Sequence, residues 1–313
     1  MENNSPLVSV FIVTYNSQDY IVEALESVKA QTYKNIELIV SDDCSKDRTL
    51  ELVKRWVKDN AQRFERTEIV EVDHNTGTAA NYNRAVKACR GEWLKMLDGD
   101  DMLYTDCISV FVKHVNSKID DKIIFSDYDK LVCNINSRKT YKNCTPRVVK
   151  QFSMMKPVDQ FMLLLKGNFL LSSTCFIKAS ILKENSYNEK YPLLEDIPMW
   201  LKLTYKGLKI SYLDTSTVIY RVANSVTSIP GLLFSPRYFE IRRSFFNEVE
   251  LPFIIEYQLK DAYNAKMRLF MWYKLCVVVL NNKRNFFTVV VSRLFKIVIW
   301  CFCFFKLPAT LKT

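Results

Sequence analysis

Three carboxylates fall within four residues at Asp98-Gly99-Asp100-Asp101, directly after the apolar run Trp93 to Leu97. The run reads as a short buried strand, so the acids stand at its carboxyl end. Like charges this close repel and raise one another's pKa, and the cluster makes most sense around a divalent cation or a set of hydroxyl donors. The plainer reading is an acidic turn capping a helix that begins near Leu103. Two further acid pairs are Asp42-Asp43, after the run Ile36 to Ser41, and Glu195-Asp196, just ahead of Pro198. Taken alone, the second pair is a good helix start.

The elements that must position these acids follow from periodicity. Leu7 to Thr14 is a β-branched run and reads as the first buried strand. A helix follows, capped by Ser17 or Asp19, with Tyr20, Ile21, Ala24, Leu25 and Val28 on one face. Ile36 to Ser41 is the second strand, and Leu50, Leu52, Val53 and Val57 mark the second helix. A third strand, Glu68 to Val72, leads through Asn75-Thr76-Gly77 into a helix ending at Cys89, which delivers the chain to the acidic stretch. This alternation implies parallel pairing with right-handed crossovers, and ligands of such sheets bind beyond the carboxyl ends of the strands. The loops starting at Thr14, Asp42 and Asp98 are therefore expected to line one crevice. Only six glycines occur, with neither Gly-x-Gly-x-x-Gly nor Gly-Lys-Ser/Thr, so backbone cradling of phosphates is excluded. A pyrophosphate bound there would need a metal held on carboxylates. Downstream, Ile123 to Asp127 and Asn168 to Ile177 read as strands, and Leu131 to Val149 as a mobile or hairpin-like insertion. Leu194 opens a short helix that ends at Gly207, and Lys209 to Tyr212 and Thr217 to Tyr220 read as two more strands before Arg221.

Composition bounds the setting. A chain that is 49% hydrophobic and 25% charged is ordinary for a globular protein. The nine cysteines include no Cys-x-x-Cys pair and read as reduced cytosolic thiols used as small apolar residues. The polar start, Met1 to Pro6, lacks the design of a signal peptide, which predicts a cytoplasmic protein. The net charge of +10 is concentrated from Lys260 onward, where ten Lys/Arg face the single acid Asp261. Interleaved with Phe, Trp, Val and Ile, this basic tail suits an anionic membrane surface, and no nucleic-acid partner is expected. Within it, Phe286 to Leu307 is mostly apolar but interrupted by Arg293 and Lys296, and the unbroken run Ile297 to Phe305 is too short to cross a bilayer. On a helix, Thr288, Ser292, Arg293 and Lys296 gather on one side, so the segment is expected to lie in the interface with that side toward the headgroups. Packing on the protein's own core is the alternative.

From Val8 to Thr227 the chain resembles the family-2 inverting glycosyltransferases of the GT-A fold. The resemblance rests on Val10-Phe-Ile-Val-Thr-Tyr-Asn16, Gln31-Thr-Tyr-x-Asn-Ile-Glu37, Asp42-Asp43-x-Ser45-x-Asp47, Asn75-x-Gly77, Asp98-Gly99-Asp100-Asp101, Glu195-Asp196 and Tyr220-Arg221, in that order. It implies an α/β GT-A nucleotide-sugar-binding fold, a mostly parallel central sheet flanked by helices, over residues 1–228. The donor half would be about 1–128 and the acceptor half about 129–228, with a helical, membrane-associating extension over 229–313. It also implies a UDP-sugar or other nucleotide-sugar donor, a Mn2+ or Mg2+ cofactor, transfer with inversion, and a glycan acceptor, lipid-linked, at the inner face of the cell membrane. By the same resemblance Thr14, Tyr15 and Asn16 belong to the donor wall, with Asp42 on the uracil N3–H, and Asp43, Asn75, Gly77, Asp98, Gly99 and Arg221 also on the donor. Asp100 would be the metal ligand, and Asp196, with Glu195 beside it, the general base. An adjacent carboxylate and partial burial push a base toward the pKa that this role requires. Two departures stand out: Cys44 where the family often has Gly, and no His after Tyr220-Arg221 to serve as a further metal ligand. A sugar nucleotidyltransferase and a non-catalytic nucleotide-sugar or membrane-binding protein are the alternatives. The first usually grips a triphosphate with a Gly- and basic-rich loop that Val13 to Ser17 lacks, and the second would lack the base.

Overall fold

The first β-branched run forms β1 (Val8–Thr14), buried along its whole length. The protein is described here by a computed structural model covering residues 5–134, 137–222 and 231–303. Parallel to β1 lie β2 (Ile36–Asp42) on one side, with β3 (Arg66–Glu71) beyond it, and β4 (Trp93–Asp98) on the other. The crossovers are α1 (Ile21–Lys29), α2 (Thr49–Asn60) and α3 (Thr78–Ala88). Each buries one stripe; in α1 it is Ile21, Ala24, Leu25 and Val28, the helical spacing expected from sequence. Neither Ser17 nor Asp19 caps α1 through its side chain; the Ser17 carbonyl instead accepts from the N–H groups of Tyr20 and Ile21.

The expectation of a mostly parallel sheet holds for this half only. After the acidic stretch come β5 (Met102–Leu103), α4 (Cys107–Ser117), β6 (Ile123–Asn134), β7 (Ser137–Tyr141), α5 (Arg147–Met154), α6 (Pro157–Lys166), β8 (Cys175–Lys178), α7 (Ala179–Glu184), α8 (Asp196–Tyr205) and β9 (Ser211–Val222). The strand order is β3-β2-β1-β4-β8-β6-β9-β5, with β7 on β6. Because β8 runs antiparallel to both β4 and β6, and β5 antiparallel to β9, the sheet is mixed. The acidic stretch caps no helix at Leu103: that residue is in β5, and the helix waits until Cys107. Asn168 to Ile177 is not one strand either, since Ser172–Thr174 make a 3-10 turn and only Cys175 onward pairs. The two strands expected before Arg221 are one, β9, which crosses irregularities in its register with β6 near Asp127. The insertion from Leu131 resolves into the β6/β7 pairing and α5.

These elements, apart from the second half of α6, form one compact unit, Met1–Phe161 with Phe169–Ala223; a second comprises Met162–Asn168 with Asn224–Thr313. The boundary expected at 228/229 lies among residues 223–230, outside the described residues. The second unit holds α9 (Pro236–Phe245), a π turn (Phe246–Glu250), α10 (Leu251–Glu256), α11 (Lys260–Leu280) and α12 (Phe286–Phe302). Left-handed Asn281 and Asn282 stop α11, and Asn285 with Thr288 forms a reciprocal capping box that starts α12. The side of α12 expected to face headgroups is split. Thr288 and Ser292 are buried, whereas Arg293 and Lys296 are exposed.

Two backbone positions generate opposite expectations. Gly77 has φ +94°, and a Cβ there would meet Pro192 Cβ at 2.6 Å. Cys44 carries a side chain at φ +62°, where only glycine is unstrained. Gly77→Ala should cost about 2 kcal/mol or more, while Cys44→Gly should gain up to about 1 kcal/mol. Urea unfolding of the two variants checks both signs.

Candidate active site

The three loops expected at the carboxyl ends of β1, β2 and β4 are stitched together by hydrogen bonds. Asp43 N–H donates to the Thr14 carbonyl and Gly99 N–H to the Val13 carbonyl, each at 3.0 Å. Asn16, left-handed at φ 52°, donates its N–H to Ser45 Oγ at 2.9 Å and accepts from Lys46 N–H at 2.7 Å. Gly99 is required by close approach, since a Cβ there would meet Thr14 Oγ1 at 2.8 Å. Thr14 itself is buried and its Oγ1 has no hydrogen-bond partner. A buried hydroxyl left unpaired costs free energy, which a bound ligand would recover.

Within the first pair the two acids have separate duties. Asp42 accepts from Ser45 N–H at 2.8 Å and Ser45 Oγ–H at 2.5 Å, closing the loop on itself. Asp43 clamps the Asn75–Gly77 loop: it accepts from Thr76 N–H, Thr76 Oγ1–H, Gly77 N–H and Arg84, the last two at 2.8 and 2.7 Å. Asn75 Nδ2 returns a bond of 3.3 Å to the Asp43 carbonyl. Tyr15, next to Thr14, is partly buried.

The acidic turn is held from several elements. Asp98 accepts from Tyr82 OH on α3 and from Ser173 Oγ, both at 2.8 Å. Ser173 Oγ also lies 2.6 Å from Asp101 Oδ2, and Arg221 N–H on β9 donates to Asp101 Oδ1 at 2.9 Å. One hydroxyl has one proton, so two ionised carboxylates cannot both be served by Ser173. Fully buried Asp101 is pushed well above the ordinary carboxylate range by burial and then by Asp100 and Asp98. Burial also raises Asp98. Asp100 is raised to about 6, by burial first and Asp98 second. Among the described residues its carboxylate has no hydrogen-bond partner on another residue, leaving it the acid that can reach a ligand. Beneath the turn, fully buried Lys95 donates to the carbonyls of Met96 and Ser173, adding a positive charge behind the three acids.

Arg221 stands behind the turn. Its Nε–H donates to the Asp100 carbonyl at 2.9 Å, its Nη2 pairs with Glu23 at 2.8 Å, and its guanidinium stacks 4.8 Å from the Tyr20 ring centre. Residues 223–230 lie outside the described ones, and with them the stretch in which a metal-binding His is lacking by sequence.

Glu195 and Asp196 open α8, and Glu195 makes no side-chain cap to its helix. Asp196 Oδ1 accepts from Ile197 N–H at 2.5 Å. The segment leading into them is set by Pro192, whose carbonyl accepts from Ala79 N–H at 3.4 Å beside Gly77. Glu195 is raised well above 4.5 by burial, then by Asp196 and Asp98, which brings the second pair into the field of the acidic turn. Tyr187 is in the same field: its ring centre lies 5.0 Å from that of Tyr82, and its buried hydroxyl has no partner. Asn83 locks the Tyr187 backbone with bonds of 2.7 and 3.0 Å. Sequence reasoning missed Ser173, Tyr82, Tyr187, Arg84 and Lys95; of these only Lys95, a charge inside an apolar strand, carried a local signal.

The donor set bears on a metal. No group of three or more His, Cys, Asp or Glu that could hold an ion occurs among the described residues. One outward hard-oxygen ligand beside like charges fits Mg2+ or Mn2+ carried mainly by substrate phosphates and water, the usual habit of these ions.

A family model described as glycosyl transferase family 2 matches residues 9–185. The Escherichia coli protein WfaP, named UDP-Glc:alpha-D-GlcNAc-diphosphoundecaprenol beta-1,3-glucosyltransferase, is 29% identical over 223 residues, covering 71% of this chain and 80% of its own. Among solved structures, S. aureus TarS 1-349 in complex with UDP-GlcNAc matches with TM-score 0.58 at 20% identity, over 78% of this chain and 66% of that one. The mannosyltransferase PcManGT from Pyrobaculum calidifontis, in complex with GDP-Man and Mn2+, matches with TM-score 0.53 at 15% identity, over 96% and 87%. At these identities the two structures establish likeness of fold.

The raised pKa of Glu195 has a consequence for stability. Between 4.5 and its higher folded value, the folded state binds more protons than the unfolded one. The stabilisation from this group is therefore complete below about pH 4.5 and is lost as pH rises through the folded pKa. Glu195→Gln should flatten that decline in thermal unfolding without nucleotide or cation, and equal slopes for variant and wild type would refute the assignment.

Proposed function

The chain belongs to glycosyltransferase family 2, and from that premise we propose that it transfers a sugar with inversion from a UDP-sugar to a hydroxyl of a lipid-linked glycan in surface-polysaccharide synthesis. The observation that carries this reading is the meeting of two carboxylate sites in one field: the Asp98–Asp101 turn and the Glu195-Asp196 helix start. A UDP-glucose donor and a diphosphoundecaprenol acceptor in the name of the WfaP relative support the substrate classes. The UDP-GlcNAc complex of TarS and the Mn2+ complex of PcManGT support the donor and the cation.

In the proposed reaction Asp196 accepts the proton of the acceptor hydroxyl as its oxygen attacks the anomeric carbon. The bond from that carbon to the diphosphate oxygen breaks on the opposite face, leaving an inverted glycoside and a nucleoside diphosphate. Glu195, held protonated by burial, stands beside the base without competing for the proton. Asp100 would hold Mn2+ or Mg2+, which when bound supplies positive charge to the departing diphosphate. Thr14, Tyr15, Asn16 and Asp42 take the nucleoside, the unpartnered Thr14 hydroxyl donating to it. Asp43, Asn75 and Gly77 act on the donor by fixing loop shape, and Asp98, Gly99 and Arg221 by fixing the acidic turn. Residues about 1–128 serve the donor and about 129–228 the acceptor. The C-terminal region, 229–313, holds the enzyme at the cytoplasmic face of the membrane, where a lipid-linked acceptor is presented.

Asp196→Asn should preserve donor binding and lower turnover by about 10² to 10⁴, the usual worth of general acid–base catalysis. A near-normal rate would move the base elsewhere. Asp127 is a poor substitute, because its carboxylate already accepts from Tyr128 and Thr145 N–H groups. Calorimetry should find that UDP binding depends on Mn2+ or Mg2+ and that Asp100→Ala loses this dependence. Equal affinity in EDTA for the wild-type protein would sink the metal assignment.

A further inference from the structure

Helices α11 and α12 pack in a way that water alone does not favour. In its first half the face of α12 turned inward is small and polar: Thr288 and Ser292 are buried, Trp272 Nε1–H of α11 donates to the Ser292 carbonyl at 2.7 Å, and a large apolar side chain, Ile299, takes over the buried face toward the helix end. The large apolar side chains point outward, with Phe286 88% and Phe287 69% exposed and Leu294 and Ile297 more than half exposed. In a helix solvated by water the stripe facing the neighbour is apolar and the outer face polar. Small residues at the helix–helix contact with large apolar ones outside is the arrangement of helices that meet lipid.

Charge specifies the kind of lipid surface. Lys274, Lys283, Arg284, Arg293 and Lys296 are all exposed, and no acid follows Asp261 in the chain. Lys283 and Arg284 lie in the turn between the helices, next to Phe286 and Phe287. Lys296 Nζ rests 5.0 and 5.5 Å from the ring centres of Trp272 and Trp300, an ammonium carried on an indole platform suited to the headgroup level. Among the described residues no helix is long and apolar enough to cross a membrane, so contact with a bilayer must be shallow.

We propose that the α11–α12 hairpin is a docking surface for an anionic bilayer. Phe286 and Phe287 enter the acyl boundary beside the turn, and Lys283, Arg284, Arg293 and Lys296 meet the headgroups. This rests on the reading that residues 229–313 hold the protein at a membrane, and it replaces a helix presenting one polar side with a hairpin whose outer surface carries apolar and cationic groups together.

The test is co-sedimentation of the full chain with phosphatidylglycerol-containing and pure phosphatidylcholine vesicles, alongside transferase activity on a water-soluble acceptor analogue. The full chain should pellet with the anionic vesicles and less with the neutral ones, and high salt should weaken binding. The paired substitution Phe286→Ser/Phe287→Ser should lower partitioning about tenfold or more. Lys283→Glu/Arg284→Glu should abolish the preference for anionic lipid, and both variants should retain activity on the soluble analogue. Wild-type binding that neither variant alters would overturn the hairpin while leaving the membrane reading intact. A wild-type chain that stays in the supernatant would overturn both. A dimer in sedimentation velocity that the Phe286→Ser/Phe287→Ser pair dissolves, without vesicle binding, would assign the surface to a second copy and overturn the proposal.

Discussion

The structure depends most on accommodating three acids at the end of a buried strand. Asp98, Asp100 and Asp101 cannot all ionise there without partners, and the partners come from widely separated parts of the chain: Tyr82 on α3, Ser173 ahead of β8 and the backbone of Arg221 on β9. Burying charge is tolerable only when it is bonded or neutralised. Two of the acids are absorbed by those bonds, and Lys95 lies beneath them, bonded to the carbonyls of Met96 and Ser173, its own pKa lowered by burial. The third, Asp100, has a raised pKa and, among the described residues, no hydrogen-bond partner on another residue. In the proposed reaction this acid is the one that would hold the cation.

A second constraint links that turn to the acids on α8. Gly99 lets the turn approach Thr14, Thr14 is tied through its carbonyl to Asp43, and Asp43 shapes the loop carrying Gly77. Gly77 in turn admits Pro192, three residues before Glu195. Two glycines thus act as spacers in one mechanical chain from the acidic turn to the proposed base. A side chain at either would displace one catalytic group relative to the other, and reaction rates fall steeply with such misplacement.

Much of this was legible in the sequence, because local signals sufficed for it. Strand and helix periodicity located β1, α1, β2 and α2, and Asp42-Asp43 and the Asp98–Asp101 stretch fell at strand ends where ligands of parallel sheets bind. What could not be read depends on pairing across long separations. Nothing near Ser173 says that it meets Asp98 and Asp101, more than seventy residues away. The antiparallel entry of β8, only four residues long, has no periodicity to betray it. Arg221 was legible as a site residue, but its backbone role in holding Asp101 emerges only from the register of β9. Lys95 could have been singled out, since a lysine inside a wholly buried strand has to be answering a charge.

The position of Arg221 ties β9 to the acidic turn. Its guanidinium is engaged by Glu23, the Asp100 carbonyl and the Tyr20 ring, and it is almost fully buried. An arginine so committed would have to give up its bonds to Glu23 and to the Asp100 carbonyl to reach a substrate phosphate. Its contribution is to hold the turn still. The carbonyl that it grips belongs to the residue whose carboxylate is unpartnered, so Arg221 fixes the main chain of Asp100 while leaving its side chain to the ligand. In the proposed reaction, positive charge for the diphosphate would therefore come from the ion rather than from Arg221.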